Sequence, residues 1–301
     1  MDNLWERLRP LLPPDGRNGI PGSRAARSFL WRECGLSGTP EAAAFRETVC
    51  ALIRYFATPY DLPQAEERGR ILRSAAAVGE KAPAFTWRLL CGLAEADAEN
   101  RDDADERIRK VREAARAAEE AGCLDGPYPF PDPYSARAWF SGRSKEPDLK
   151  VPDDSWGEVI LLSGLPGTGK DRWIRENQPE KPMISLDGIR LETGIRPTEP
   201  QEEVLRIARE RAVNLLQDQQ PFVWNATNLT PEIRRGRIEL FEQYGARVRI
   251  VWLETGWSTR ICRNRGRTRD AVVPEEKVLA MLETMTPPMP DEAWKVDWIC
   301  V

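Results

Sequence analysis

The sequence predicts an all-α domain over residues 1–155, followed by an α/β domain over residues 156–301. Three observations support this fold class. The first half carries amphipathic helix patterns and almost no strand patterns. The second half alternates short apolar strands with longer amphipathic helices, which predicts a mainly parallel sheet with helices on both faces. The polar stretch over residues 141–154 lies between the two patterns and predicts a linker.

Helical periodicity in the first half predicts four helices, over residues 41–57, 64–78, 84–98 and 102–121. The first begins after Thr39-Pro40 and repeats apolar residues, Phe45 among them, every three or four positions. The last ends before Gly122, because glycine favours the left-handed backbone just beyond a helix. Alternating prolines and aromatic residues over 127–134 predict an extended segment.

The second half predicts five strands and five helices that alternate along the chain. The strands are expected at residues 158–163, 183–186, 222–224, 247–253 and 296–301. The helices are expected at residues 170–177, 201–218, 231–244, 257–264 and 275–285. Short apolar strands of this kind suit a sheet that is covered on both sides.

Composition excludes several classes of protein. The chain has no histidine, which rules out His-dependent catalytic triads and metal centres with histidine ligands. Its formal net charge of −4 argues against a polycation that coats nucleic acid. The six cysteines form no Cys-x-x-Cys pair, which favours reduced thiols. The longest aliphatic run, 159–162, is too short to span a bilayer, and no secretory signal is visible. We therefore expect a cytoplasmic protein with no membrane partner.

Residues 164–171 read Gly-Leu-Pro-Gly-Thr-Gly-Lys-Asp and match the phosphate-binding pattern Gly-x-x-x-x-Gly-Lys. The match lies between a predicted strand and a predicted helix. Glycines let backbone N–H groups surround an anion, the helix N-terminus adds positive potential, and the lysine reaches the outer phosphates. We predict a P-loop that binds ATP or another NTP, with an ordinary Gly-Pro turn as the alternative. The predicted nucleotide-binding residues are Gly164, Gly167, Thr168, Gly169, Lys170 and Asp171.

Asp171 occupies the position where Ser or Thr normally provides a neutral Mg²⁺ ligand. A carboxylate can bind Mg²⁺ directly or through water, but it also brings negative charge close to a triphosphate. The residue is therefore either a metal ligand or the mark of a site weakened for catalysis. We favour Asp171 as a ligand of Mg²⁺.

Asp187 and Arg190 follow the second predicted strand. Asp187 lies at the carboxyl end of the strand, where ligands bind in open α/β sheets, and Arg190 follows one helical turn later. A carboxylate can accept the proton of an attacking hydroxyl, while a guanidinium holds a phosphate of the acceptor. The alternative is a helix-capping aspartate with a surface arginine.

The third strand runs into Asn225-Ala-Thr-Asn228. Amides and a hydroxyl at a strand end can orient metal-bound water or acceptor groups, although Asn225 lacks the charge of the acidic residue expected there. A plain polar turn is the alternative.

Residues 260–269 contain five arginines in ten positions. Guanidinium groups on a lid can neutralise charge on a phosphoryl group during its transfer. A solvated charged loop is the alternative, but we expect the run to take part in catalysis.

Together these motifs resemble the 5′-hydroxyl polynucleotide kinases of phage and bacterial RNA repair, and most closely the bacterial HD-domain polynucleotide kinases. The motifs that carry the resemblance are 164–171, Asp187-x-x-Arg190, Asn225-Ala-Thr-Asn228, 263–267 and Val273-Pro274. The resemblance implies that Lys170 binds phosphates, Asp187 is the general base for the 5′-OH, and Arg190 holds the 3′ phosphate of the acceptor. It also implies that Arg263 and Arg267 are lid residues that contact donor phosphates.

The first half resembles the HD phosphohydrolase domain of that family more weakly, over residues 24–140. An HD site needs several histidines around its metals, and this chain has none. Asp97 matches a ligand position, but one carboxylate cannot hold a pair of metals. We expect the phosphohydrolase activity to be lost and the domain to remain as a helical module.

The sequence thus predicts transfer of the γ-phosphate of ATP, with Mg²⁺, to a 5′-OH end of RNA or DNA. A P-loop kinase of a small hydroxyl metabolite is the alternative enzyme, and the negative net charge favours it. A nucleotide-binding scaffold without catalysis is the alternative of another class.

Overall fold

The computed structural model of the chain describes residues 9–12, 19–62, 66–99, 101–196, 199–266 and 272–301. The chain separates into two units. The N-terminal unit comprises residues 1–131, 139–148 and 289–291. The P-loop unit comprises residues 132–138, 149–288 and 292–301.

Helices make up the first half, as the sequence predicts. They are α1 Ile20–Arg32, α2 Pro40–Tyr55, α3 Glu66–Ala77, α4 Trp87–Ala98, α5 Ala104–Glu120 and α6 Pro133–Phe140. Helix α4 begins three residues later than predicted because the Thr86 hydroxyl accepts a hydrogen bond from the Leu89 N–H at 3.1 Å and caps it. Gly122 adopts a φ of 70° beyond α5, which confirms its predicted role.

The sequence did not predict α1 and α6, because each has a proline in its first turn, where a helix boundary is hard to recognise. Pro21 lies in the first turn of α1, and Pro133 is the first residue of α6, so neither proline removes an intrahelical hydrogen bond. Asp132 accepts a hydrogen bond from the Ser135 N–H at 2.7 Å and supports the start of α6. The predicted extended segment therefore gives way to a helix at Pro133.

The face that α2 buries includes Ile53 of the predicted apolar stripe but not Phe45. Phe45 is 52% exposed, whereas Arg46 and Glu47 are fully buried. Glu47 accepts hydrogen bonds from Arg27 on α1, with 2.7 Å between Nη2 and Oε2, and from Arg46, with 2.8 Å between Nε and Oε1. Arg46 also donates to the Leu36 carbonyl and stacks over the Trp31 ring. The hydrogen bonds of Arg46 and Glu47 thus determine which face of α2 is buried.

Five strands form one parallel sheet in the P-loop unit. They are β1 Gly157–Ser163, β2 Met183–Ser185, β3 Val223–Asn225, β4 Ala246–Glu254 and β5 Lys295–Cys300. The order across the sheet is β2-β3-β1-β4-β5, and every neighbouring pair is parallel. The chain leaves β1 towards β2 on one side, whereas β4 and β5 lie on the other. This reversal opens a crevice at the carboxyl end of β1, where open α/β sheets bind their ligands.

Helices cover both faces of the sheet, which confirms the predicted α/β class. They are α7 Lys170–Asn177, α8 Leu186–Thr193, α9 Glu202–Gln217, α10 Pro231–Gln243, α11 Trp257–Arg265 and α12 Glu275–Thr284. Leu161 and Trp224 pack on the face covered by α8, α9 and α10. Ile160 and Leu162 pack on the opposite face, against Trp173 and Ile174 of α7.

Helix α8 is an addition to the predicted elements. The second strand ends at Ser185, one residue earlier than predicted, because the Ser185 hydroxyl accepts a hydrogen bond from the Gly188 N–H at 3.2 Å. No helix among the described residues is long and apolar enough to cross a membrane.

Candidate functional site

The loop between β1 and α7 has the backbone of an anion-binding loop. Gly164, Gly167 and Gly169 adopt φ angles of 146°, 86° and 92°, which side chains rarely tolerate. A β-carbon at Gly164 would lie 2.5 Å from the Leu253 carbonyl oxygen of β4. These glycines are thus required by the path of the chain, and a backbone of this shape lets N–H groups of the loop line a cradle for phosphates.

Lys170 begins α7 and reaches back over this loop. Its Nζ donates hydrogen bonds to the carbonyl oxygens of Gly164 and Leu165, each at 2.9 Å. The Thr168 hydroxyl donates to the same Leu165 oxygen at 2.9 Å. The ammonium group and the N-terminus of α7 therefore place positive charge at the loop, as binding of phosphate requires.

Asp171 points to the neighbouring strand. The Asn225 side-chain amide, at the end of β3, donates to Asp171 Oδ1 with a distance of 2.7 Å. Asn225 is 7% exposed, whereas Asp171 is exposed. A buried amide thus orients the carboxylate beside the phosphate loop and adds no second negative charge.

The residues present fit a single Mg²⁺ that is shared with nucleotide phosphates. Such an ion takes one or two protein carboxylates and completes its shell with phosphates and water. Of the two carboxylate oxygens of Asp171, only Oδ1 accepts a hydrogen bond within the described ranges, so Oδ2 remains for a metal or its water. In the same ranges, no group of three or more acidic or cysteine side chains lies close enough to hold a metal ion by itself.

The rest of the predicted Asn225–Asn228 motif supports the loop from behind. Asn228 is buried, has a φ of 44°, and donates through its amide to the Leu162 carbonyl oxygen at 2.6 Å. The Ser163 hydroxyl donates to the Asn228 carbonyl, and the Gly164 N–H donates to the Thr227 carbonyl. These bonds connect the ends of β1 and β3, so this part of the motif is structural.

Asp187 and Arg190 form an ion pair on α8. Arg190 Nη1 lies 2.6 Å from Asp187 Oδ1, and Arg190 Nε donates to Gln201 Oε1 at 2.7 Å. The Asp187 side chain is 65% exposed and the Arg190 side chain 22%. Ser185 caps the helix, so the interpretation of Asp187 as the capping residue is wrong.

The sheet register brings these residues to the same edge as the loop. Ser185, two residues before Asp187, pairs with Asn225, which binds Asp171. Gln201 was absent from the predicted site. It precedes α9 and fixes the orientation of the Arg190 guanidinium.

Helix α11 carries the first arginines of the predicted lid. A β-carbon at Gly169 would lie 3.5 Å from Arg263 Nη1, so this exposed arginine reaches the phosphate loop. Arg267 lies outside the described residues. Asn264 exchanges two hydrogen bonds with Val273, one from its Nδ2 to the Val273 carbonyl at 2.7 Å and one from the Val273 N–H at 3.2 Å.

Arg260 differs from the other arginines of the predicted lid. It is buried together with Asn264, one helical turn later, because the two share the inner face of α11. The alternative of a solvated charged loop is therefore wrong for Arg260. The spacing of Trp257, Arg260 and Asn264 is the signal in the sequence that indicated a packed face.

Asp97, the remaining acidic residue of the predicted HD-like site, lies on α4. It pairs with Arg101, with 3.0 Å between Oδ2 and Nη2. This is an ion pair between residues four apart at the end of a helix, of a kind common on helix surfaces.

Comparison with known proteins supports the P-loop unit. Residues 159–288 match the family model described as AAA domain. A solved structure of a "putative kinase" from Chloroflexus aurantiacus is 14% identical, with a TM-score of 0.39, over 48% of this chain and 85% of that one. A search of the curated proteins found no match. Together with the loop and the parallel sheet, the family match supports a nucleotide-binding P-loop domain, and such a domain suggests nucleotide-dependent phosphate transfer.

Proposed function

We propose that the chain is a kinase that uses ATP and Mg²⁺ to phosphorylate the 5′-hydroxyl end of RNA or DNA. The observation that carries the proposal is the ion pair of Asp187 and Arg190 at the sheet edge that also holds the phosphate loop. A base and a fixed guanidinium side by side suit an acceptor that presents a hydroxyl next to a phosphate. We also propose that the kinase domain begins near residue 156 and that nucleic-acid repair is its setting.

Each site residue has a role in this reaction. The loop N–H groups and Lys170 hold the β- and γ-phosphates, while Arg190 holds the acceptor phosphate. The 5′ oxygen attacks the γ-phosphorus, its proton passes to the Asp187 carboxylate, and the bond from the γ-phosphorus to the β–γ bridging oxygen breaks to release ADP. Mg²⁺ bound at Asp171 would neutralise charge on the phosphates. Arg263 and Arg267 would stabilise the charge that develops on the transferred group.

Arg190 makes Asp187 a positioned base. The 2.6 Å bond from Arg190 to Oδ1 fixes the carboxylate, and the bond that Arg190 Nε donates to Gln201 Oε1 fixes the guanidinium in turn. Because the Asp187 side chain is largely exposed, an acceptor hydroxyl can approach it. Fixing both groups before the acceptor arrives lowers the entropy cost of reaching the reactive geometry.

The test is transfer of labelled γ-phosphate from ATP. The acceptors are 5′-OH RNA and DNA oligonucleotides, the same oligonucleotides with a 5′-phosphate, and a panel of nucleosides and sugars. We expect label on the 5′-OH ends alone, lost in Lys170→Ala and kept in Lys181→Ala, a lysine outside the loop.

Two other outcomes would replace the proposal. Transfer to a nucleoside or sugar in preference to the oligonucleotides would identify a kinase of small metabolites, which the net charge of −4 favours. Tight ATP binding without transfer to any hydroxyl would identify a scaffold, in which Asp171 and Asn225 mark the loss of catalysis.

A further inference from the structure

Arg260 is an arginine inside the P-loop unit. It is 1% exposed and lies in the first turns of α11. Its guanidinium carbon lies 4.1 Å from the centroid of the Trp257 ring, which covers one face of the cation. Arginine at such low exposure is rare in proteins unless it is paired.

The guanidinium of Arg260 is incompletely satisfied. Throughout the described part of the chain, no acceptor lies within hydrogen-bonding distance of its buried Nε and Nη1. Burial holds the pKa of the group below its ordinary value, and the charge of Glu275 offsets this only in part. A buried charge without a bonded partner costs free energy, so the folded chain tolerates it at the expense of stability.

Another buried arginine of the same unit, Arg234, is paired with a carboxylate, as buried arginines ordinarily are. Arg234 on α10 is 0% exposed and forms two parallel hydrogen bonds with Glu292, each at 2.7 Å. Its Nη1 also donates to the Asn228 and Thr286 carbonyls. The fold can therefore neutralise a buried guanidinium, and it does not do so at Arg260.

Arg260 lies directly against the phosphate loop. A β-carbon at Gly167 would come within 3.0 Å of the Arg260 carbonyl oxygen and 3.4 Å of its Cγ. The guanidinium carbon is three bonds beyond that Cγ. The backbone and the Cγ of Arg260 therefore contact the loop whose N–H groups would hold phosphates, and a buried charge this few bonds away is weakly screened.

We propose that Arg260 is a buried phosphate counter-charge: a cation inside the protein that is neutralised by the phosphates of a bound nucleotide. Its role differs from that of the lid arginines, because it acts through its charge from a buried position. This inference rests on the nucleotide binding that the proposed function requires, and it is independent of the acceptor. It explains why the chain retains an unpaired charge where a methionine would pack at lower cost.

The experiment measures the Kd of adenosine, AMP, ADP and ATP by calorimetry for the wild type and Arg260→Met. We expect the variant to bind ATP about tenfold or more weakly, as for one charge several Å away at an effective dielectric of about 20. The loss should grow with each added phosphate and be absent for adenosine. Arg260→Lys, which keeps the charge, should recover most of the affinity.

Two further measurements separate a counter-charge from a packing role. The Tm of Arg260→Met without ligand should equal that of the wild type or rise by about 2–4 °C, because an unpaired buried charge is removed. The loss of ATP affinity should persist in high salt, since salt screens buried charges poorly. The loss in Arg263→Met, whose side chain is exposed, should shrink there.

Arg237→Met is the matched control. Arg237 also stacks on a tryptophan, Trp224, has a buried Nε without a hydrogen bond, and has its pKa lowered by burial. It projects from α10, which covers the face of the sheet opposite to α7, so its loss should leave every Kd unchanged.

Several results would overturn the assignment. These are equal loss of affinity for adenosine and ATP, no loss at all, or a marked fall in Tm of Arg260→Met that Arg260→Lys does not share. Binding of no nucleotide by the wild type would overturn it together with nucleotide binding itself. The calorimetry for Arg260 contains no oligonucleotide, so a failed transfer assay would not change its result.

Discussion

Two buried arginines of the N-terminal unit and Arg260 of the P-loop unit differ in how their charges are met. In the N-terminal unit, Arg27 and Arg46 share the Glu47 carboxylate, and all three side chains are buried and bonded. In the P-loop unit, Arg260 is equally buried but lacks a carboxylate partner among the described residues.

The difference separates charges that hold a structure from charges that await a ligand. A carboxylate between two guanidiniums is satisfied in the folded chain, so the network defines how α1 and α2 pack and needs nothing further. An unpaired buried cation is satisfied only when an anion arrives. Burial of an arginine is thus uninformative about function until its hydrogen bonds are counted.

The largest expected effect is on catalysis in the P-loop unit. Asp187→Asn should lower kcat by about 10²–10⁴-fold and leave the Kd of ATP nearly unchanged, because a general base acts in the transition state. Its Tm should also stay close to that of the wild type, since the side chain is exposed. Steady-state transfer to a 5′-OH oligonucleotide measures kcat, calorimetry measures the Kd of ATP, and thermal unfolding measures the Tm.

Glu192→Gln is the matched control for this prediction. Glu192 lies on the same helix, is also exposed, and pairs with Arg211. Its loss should change kcat little. Equal turnover in Asp187→Asn and the wild type would remove Asp187 from the mechanism.

The next effect is on the stability of the N-terminal unit. Glu47→Gln removes the negative charge between Arg27 and Arg46 and leaves two buried guanidiniums without a counter-charge, which should cost about 3–5 kcal/mol in free energy of unfolding. Chemical denaturation measures it. Glu95→Gln, which breaks the solvent-exposed ion pair with Arg112, should cost little.

The same network predicts a pH dependence. Burial alone would raise the pKa of Glu47, but the charges and hydrogen bonds of Arg27 and Arg46 outweigh it and hold the pKa below its ordinary value of 4.5. The group therefore stabilises the fold fully above that value, and the stabilisation is lost as pH falls through the lowered pKa. Denaturation between pH 6 and pH 3 should show a steeper loss in the wild type than in Glu47→Gln. Parallel curves would contradict the network.

The reactivity of the Cys50 thiol measures whether the packing of the N-terminal unit is intact. Burial raises its pKa to about 12, so it should resist thiol reagents at pH 8 while the network is intact. The exposed Cys34 and Cys262 should react at once. Faster reaction at Cys50 in Glu47→Gln would show that the unit has loosened.

The smallest effect is expected at the carboxylate beside the phosphate loop. Asp171→Ala should raise the Mg²⁺ concentration for half-maximal rate severalfold and leave the KM of the oligonucleotide little changed, because only a metal ligand is lost. Asp171→Ser should rescue part of the effect. Asn225→Leu should give a weaker shift in the same direction, since it removes only the 2.7 Å bond that orients the carboxylate.

A Mg²⁺ titration of each variant decides between the two interpretations of Asp171. If the carboxylate instead repels the triphosphate, Asp171→Ser would bind ATP more tightly and turn over faster than the wild type at every Mg²⁺ concentration. That result would contradict its role as a metal ligand.

Local patterns predicted the features that depend on local rules. The loop at 164–170 depends on glycine at three positions and on its place after a strand, and the sequence contains both. The strands were found within a few residues because each is a short apolar run. One helix ends just before Gly122, which adopts a left-handed backbone, and another begins after Thr39, which caps it.

Features that depend on distant contacts could not be predicted in the same way. The bond from Asn225 to Asp171 joins residues 54 positions apart, and its existence follows from the register of β2, β3 and β1. The exposure of Phe45 in place of Arg46 depends on Glu47 and on Arg27 of another helix. Periodicity ranks residues by their own hydrophobicity, so it places charged residues with buried partners on the wrong face.

The reciprocal hydrogen bonds of Asn264 and Val273 bear on how the chain can vary in length. They hold the two ends of the arginine-bearing stretch 265–272 together. The entropy cost of joining two fixed ends through a flexible segment rises by only about 0.6 kcal/mol for each doubling of the segment's length. Insertions between these two residues are therefore cheap and leave α11 seated on the phosphate loop. The number of residues between Asn264 and Val273 can therefore change in evolution while Arg260 and Arg263 keep their places.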